Sequence, residues 1–164
     1  MSEVKISDIM EDLNQKVDAV YRHNTLLERY ATIPRDYGEG FILTEPEAHI
    51  IGYICQMEEA TVTDLAQFSF RTKGSISKLL KRLEEKELIT RQKKEGNNKW
   101  VYIRPTEKGL RANIIHQAYD RAATSVMMEE LLKTCTPQDI ESFYKVTQAR
   151  IEYLAGKQQE AEGE

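Results

Sequence analysis

Apolar residues recur along most of this chain at three- and four-residue steps, the spacing that lays one stripe on a helix. The sharpest stripe is Ile76, Leu79, Leu80 and Leu83, at i, i+3, i+4 and i+7 within Thr72–Lys86. Thr72 supplies a side-chain oxygen for an orphan N–H of the first turn. Ser75, Ser77, Lys78, Lys81 and Arg82 lie off the stripe. This helix therefore has one face for a core and another of small hydroxyls and cations.

The stretches before it predict a compact helical module. Ile6, Ile9, Leu13, Val17, Val20, Asn24 and Leu27 form a slim stripe over residues 6 to 30, nearer a heptad seam than a broad core face. Ile33-Pro34 ends that helix, because the residue before proline is steered out of the helical region. Residues 34–43, with two glycines, read as a loop. Thr44-Glu45-Pro46-Glu47 is a capping box with proline in the first turn, followed by Ile50, Ile51, Ile54 and Cys55 as an apolar face. Thr61 and Asp64 repeat the box before a two-turn helix with Val62, Leu65, Ala66 and Phe68. Ser69 to Arg71 is a tight turn. Short helix, turn, longer basic helix is the helix-turn-helix layout.

After Lys86 the period changes. Leu88–Gln92 and Lys99–Ile103 are rich in branched and aromatic residues, with Glu95-Gly96-Asn97-Asn98 between them as a turn. A hairpin in this position makes the module winged. Thr106 then caps a long helix with Leu110, Ile114, Ala118, Ala122, Val126 and Leu131 in a four-residue rhythm. Thr136-Pro137-Gln138-Asp139 starts a last helix that should bury Ile140, Phe143, Val146, Ile151 and Leu154, before a polar, frayed tail from Lys157. The expected fold is mainly α with a small β-hairpin wing. It is one domain over 1–164, with a winged lobe at 44–109. Segments 1–43 and 110–164 form a helical region for dimerisation, because outer stripes this long cannot all be buried against so small a lobe.

Charge sharpens the picture. The net charge is −4, yet Arg71–Arg104 holds 11 basic and 4 acidic residues, leaving 12 basic and 23 acidic elsewhere. A basic block on an acidic scaffold is the footprint of a nucleic-acid site. On that reading Ser75, Ser77, Lys78 and Arg82 face base edges, Arg71, Thr72, Lys73 and Lys81 take phosphates, and Asn97, Asn98 and Lys99 extend the site onto the wing. The alternative is a winged-helix module whose basic face docks an acidic protein.

No apolar run approaches the ~18 residues of a membrane span, and the acidic N-terminus has no export signal, so a cytoplasmic protein is expected. Cys55 and Cys135 lie far apart and suit reduced thiols. No phosphate loop, nucleophile triad or metalloprotease motif is present, which argues against an enzyme and implies no cofactor.

These residues resemble the MarR family of bacterial transcription regulators. The likeness is densest from Leu43 to Gly109, in LTEPEAHIIGYI, TVTDLAQFSFRTKGSISKLLKRLEEKELITR and NNKWVYIRPTEKG. Two positions depart from the family pattern. Glu87 stands where glycine is usual. The wing lacks the common Asp-x-Arg signature, with Lys99 at its arginine position. The resemblance implies a homodimeric regulator, expected to be a repressor on a near-palindromic operator and tuned by a small-molecule effector. Some members sense zinc through histidines on the first, second and fifth helices, where His23, His49 and His116 lie. Asp120, four residues after His116, shares its helix face.

Overall fold

The computed structural model describes residues 13–57, 59–94 and 97–162. Along them run α1 (Leu13–Ala31), β1 (Arg35–Asp36), β2 (Ile42–Leu43), α2 (Glu45–Gln56), α3 (Val62–Phe68), α4 (Lys73–Glu85), β3 (Ile89–Lys94), β4 (Asn97–Pro105), α5 (Glu107–Leu131) and α6 (Pro137–Glu162). The fold is mainly helical with a winged helix-turn-helix at its centre, as the hydrophobic pattern predicts. Ile6 and Ile9 of the first stripe lie outside the described residues.

The core is where the stripes converge. Ile50, Ile51 and Ile54 of α2 meet Leu65 of α3, Ile76, Leu80 and Leu83 of α4, and Leu88, Ile89 and Ile103 of the hairpin, all 2% exposed or less. Burying each contributes about 1.5–3 kcal/mol. Ile103 N–H also donates to Ala60 O at 2.8 Å, stitching the wing to the link between α2 and α3. The capping boxes form as the sequence predicts. Thr44 N–H donates to Glu47 Oε2 at 2.9 Å, Thr61 N–H to Asp64 Oδ2 at 3.0 Å, and Thr136 N–H to Asp139 Oδ2 at 2.9 Å.

The structure corrects the sequence reading in four places outside the wing. Residues 34–43 are a miniature hairpin, with Arg35 opposite Leu43 and Asp36 opposite Ile42. Gly38, Glu39 and Gly40 turn it with positive φ, and its product is Tyr37, buried beneath α5. Phe68 is mostly exposed, with its ring edge-on to Tyr53 at 4.8 Å rather than in the core. The tail from Lys157 is helical to Glu162. Phe143, Val146, Ile151 and Leu154, expected to be buried, are 43–58% exposed in the single chain. They and Leu27 line a groove of about 560 Å³ between α1 and α6.

Both ends of the helix-turn-helix unit are closed by residues in the left-handed region. After α3, Phe70 has φ 52°, with Phe70 N–H bonded to Gln67 O and Arg71 N–H to Ala66 O. After α4, Glu87 has φ 61°, with Glu87 N–H bonded to Glu84 O and Leu88 N–H to Leu83 O. Each is a Schellman cap, a geometry that ordinarily recruits glycine. The glutamate in place of glycine therefore changes the strain and not the cap.

Candidate nucleic-acid interface

Burying Ile76, Leu79, Leu80 and Leu83 fixes which side of α4 faces outward. Thr72 caps it, accepting from Ser75 N–H at 3.1 Å. Arg71, Thr72, Lys73, Ser77, Lys78, Lys81 and Arg82 are exposed and Ser75 is half-buried. Thus the eight helix-borne candidates all belong to one short, rigid element and its entry turn. Their engagements differ. Ser77 Oγ donates to Lys73 O at 2.8 Å, so only its acceptor lone pairs remain for a ligand. Lys81 faces Glu85 at 3.9 Å across exposed surface, a weak tie. The side chains of Arg71, Lys73, Lys78 and Arg82 make no hydrogen bond or ion pair with any described residue. Arg71 and Lys73 also border an open recess with Thr63, Gln67 and Phe70.

The wing pairs antiparallel from Ile89↔Pro105 to Lys93↔Val101, and a register shift follows before Lys94↔Asn97. Arg91 Nε lies 3.1 Å from Glu84 Oε2, joining β3 to the helix. Glu95 and Gly96 and the side chains of Asn97, Asn98 and Lys99 lie outside the described residues, and the backbone of Asn97 and Asn98, read as turn from the sequence, belongs to β4. For those three only the backbone, in β4, is placed.

A second cluster lies between α2 and α5. His49, His116 and Asp120 bring one ligand atom each within 4.8 Å of one another. His116 is buried, and its Nε2, without a hydrogen bond, sits 3.2 Å from Asp120 Oδ2. A neutral imidazole is protonated on one nitrogen, so Nε2 at this distance either carries the proton and faces Asp120 as a donor, or is bare and suits a cation shared with the carboxylate. Burial pushes the His116 pKa down, against the pull of Asp120. A desolvated neutral imidazole beside an acid is the donor set that a divalent metal of borderline softness takes. His23 lies elsewhere, edge-on to Phe143.

The sequence offers Tyr21, Tyr30, Tyr37, Tyr53 and Tyr119 as the lining of an aromatic effector pocket, and all but Tyr21 lie around this cluster. Tyr37 stacks edge-on to His116 and Tyr119, at 4.9 and 4.8 Å between centroids, and burial pushes its hydroxyl up to about 12. Arg35 lies 4.1 Å over the Tyr30 ring and 3.6 Å from Glu45. A cleft of about 180 Å³ beside it is lined by Glu45, His49, Tyr53, Ser69 and Arg71. The miniature hairpin brings Arg35 and Tyr37 to residues that α2, α5 and the turn after α3 supply, and its turn chemistry was the signal for it in the sequence. Cys55 is half-buried, with its thiol pushed up by burial.

Residues 43–101 match the model of the MarR family. No curated protein sequence matches the chain. Solved structures share the fold at low identity. FabT of Streptococcus pneumoniae, in complex with DNA, is 21% identical with a TM-score of 0.59, over 88% of this chain and 96% of that one. ZitR of Lactococcus lactis, described as a zinc-responsive MarR family member, is 21% identical with a TM-score of 0.62, over 86% and 97%. A further MarR family transcription regulator is 19% identical with a TM-score of 0.71, over 92% and 97%. Residues 43–101 are therefore similar to the MarR family, and the chain shares the overall fold of solved MarR-family transcription regulators.

Proposed function

We propose that this protein is a sequence-specific double-stranded DNA-binding regulator, a repressor that acts as a homodimer on a near-palindromic operator. The observation that carries the reading is α4: a buried apolar stripe backed by an outward face whose Lys78 and Arg82 have no partner among the described residues. Cations left free on a rigid helix suit phosphates and base edges, and the basic block around them supplies the long-range attraction. Ser75, Ser77, Lys78 and Arg82 read bases, Arg71, Thr72, Lys73 and Lys81 hold phosphates, and Asn97, Asn98 and Lys99 reach from the wing. No catalysis is assigned.

The homodimer is supported by the α1–α6 groove. A second copy that lays its terminal helices there would cover Leu27, Phe143, Val146, Ile151 and Leu154. Segments 1–43 and 110–164 then serve dimerisation and set two copies of α4 about 34 Å apart, one DNA turn. The test is selection from a random duplex pool at near-physiological salt. The expected product is a near-palindrome with half-sites one turn apart. Binding should weaken linearly in log salt, by about 0.9 per phosphate contacted. No enriched motif, with a flat salt response, would favour the protein-docking alternative.

A zinc-responsive regulator is the second reading, favoured by the His49–His116–Asp120 cluster. His49 and His116 would hold the ion through nitrogen and Asp120 through a carboxylate oxygen. Zinc would there fix the distance between α2 and α5, and so the module's pose on its long helices. Metal-free protein that takes up no zinc at micromolar levels would end this reading. An organic effector in the neighbouring cleft would then be the remaining modulator.

A further inference from the structure

We propose that Glu47 and Lys86 form a positioning pair that holds α4 in its DNA-competent orientation; the inference rests on the DNA-binding reading above. Glu47 is 2% exposed, a burial depth unusual for an acid. One of its oxygens, Oε2, accepts from Thr44 N–H and from Lys86 Nζ, both at 2.9 Å. Lys86 Nζ donates a second time, to Ile42 O at 3.0 Å. Three elements meet at this one ammonium: β2, the first turn of α2 and the C-cap of α4.

The other side of that C-cap is held by α5. Lys108 Nζ donates to Lys86 O at 2.9 Å, Thr106 Oγ1 to Glu87 O at 2.8 Å, and Thr106 N–H to Leu88 O at 3.0 Å. The C-terminal end of α4 is thus gripped from two directions. At its N-terminal end Thr72 and Lys73 are exposed, Ser75 is half-buried and Ile76 sits in the core. The geometry is a lever. Ser75 lies roughly 16 Å along the axis from Lys86, so a tilt of about 5° at the cap moves it by about 1.4 Å. That is enough to break a directional bond to a base edge. It is too little to spoil attraction to phosphates, which act through charge.

An ion pair between buried Glu47 and a Lys86 side chain that is 38% exposed is weak evidence of stabilisation, because desolvation and solvent screening offset its attraction. Orientation explains this one better, since Lys86 spends two of its N–H donors on fixed protein acceptors and is not free for phosphate. The arrangement also puts β2 and α5 in contact with the same helix end, so whatever moves them moves α4.

The test compares Glu47→Gln, Lys86→Met and the double variant with the wild type. Glutamine still accepts from Thr44 N–H and keeps the capping box, so Glu47→Gln removes the ion pair alone. The double variant leaves no unpaired buried charge and keeps the experiment readable should Lys86→Met fold poorly. Two duplexes are titrated: the one that wild-type protein selects from the random pool, and a scrambled version. Folded fractions are measured by circular dichroism at the assay temperature. Each variant should lose about tenfold or more on the selected duplex and nothing on the scrambled one, with an unchanged salt slope. The double variant should be no worse than the singles. Folded variants that keep the wild-type ratio between duplexes overturn the proposal, and Lys86 is then structural only. Equal loss on both duplexes, with the Lys86→Met slope reduced by about 0.9, overturns it in favour of a phosphate contact. Wild-type protein that prefers no duplex overturns the DNA reading itself, and the inference with it.

Discussion

Gly109 packs so closely on Leu88 that a Cβ at Gly109 would lie 2.0 Å from the Leu88 carbonyl oxygen. Backbone meets backbone at the point where α5 leaves the winged module, and Thr106 N–H donates to that same carbonyl. The glycine is required by this approach alone, since its φ is not positive. Gly109→Ala should therefore destabilise the protein by about 1–3 kcal/mol or more, the range of overpacking in a core. Urea unfolding checks it, as a lower midpoint at constant slope. An unchanged midpoint would mean that α5 can move off Leu88 without loss, and that the grip on the C-cap of α4 is loose.

Glu87 gives the opposite expectation. A non-glycine residue in the left-handed region costs roughly 1–2 kcal/mol, and here its side chain returns only an exposed contact with Lys108 at 3.4 Å. Glu87→Gly should raise stability by up to about 1 kcal/mol, after the entropy that glycine adds to the unfolded chain. Thermal unfolding measures it. A lower melting temperature would show that the ion pair outweighs the strain.

How far the sequence could be read follows from which interactions are local. The stripe Ile76, Leu79, Leu80, Leu83 and the boxes at Thr44, Thr61 and Thr136 depend on neighbours within four residues, and all were legible. The hairpin at 34–43 was not, because its strands are two residues long and its purpose is distant: it delivers Tyr37 to His116. Glu47 could be read as a cap but not as buried, since Lys86, 39 residues later, explains the burial. The exposed apolar faces of α1 and α6 mislead for a related reason. Their pattern states that they will be covered, and a single chain does not show by what. At the candidate site the helix-borne residues follow from the same periodicity as the core. The wing tip follows from composition alone.

The His116 environment sets a pH dependence. Burial lowers its folded pKa below the unfolded value of about 6.5, so the unfolded chain takes up the proton first as pH falls. The imidazole's contribution is thus full above about 6.5 and is lost as pH drops through that value towards the lowered folded pKa. Metal-free wild type should lose more melting temperature between pH 7.5 and pH 5.5 than His116→Gln, which cannot titrate there. Equal losses in the two proteins would show that Asp120, at 3.2 Å, fully offsets burial.

Leu154 tests the terminal helices. It is 58% exposed in the single chain and lines the α1–α6 groove with Leu27 and Phe143. Leu154→Glu should leave the winged core intact, since none of its buried residues is touched, and should shift sedimentation from dimer towards monomer at micromolar concentration. A charge in a desolvated interface typically costs several kcal/mol. Sedimentation unchanged from wild type would place the interface elsewhere.

Lys78 separates base reading from simple charge. Its side chain is exposed, with no hydrogen bond or ion pair to a described residue, so removal leaves no partner orphaned in the free protein. Any loss on Lys78→Ala is then a loss of contact with DNA. If Lys78 reads a base, the variant should weaken the selected duplex by about 1–3 kcal/mol and lose discrimination at one position of each half-site. Binding to scrambled duplex should change little. If Lys78 instead meets a phosphate, the loss is uniform across sequences and the salt slope falls by about 0.9. Repeating the pool selection with the variant distinguishes the two, because only a base contact changes the recovered motif. A motif relaxed at one symmetric position would also orient α4 in the groove, since Lys78 lies one turn from Ser75 and one from Arg82, and the neighbouring positions would be theirs.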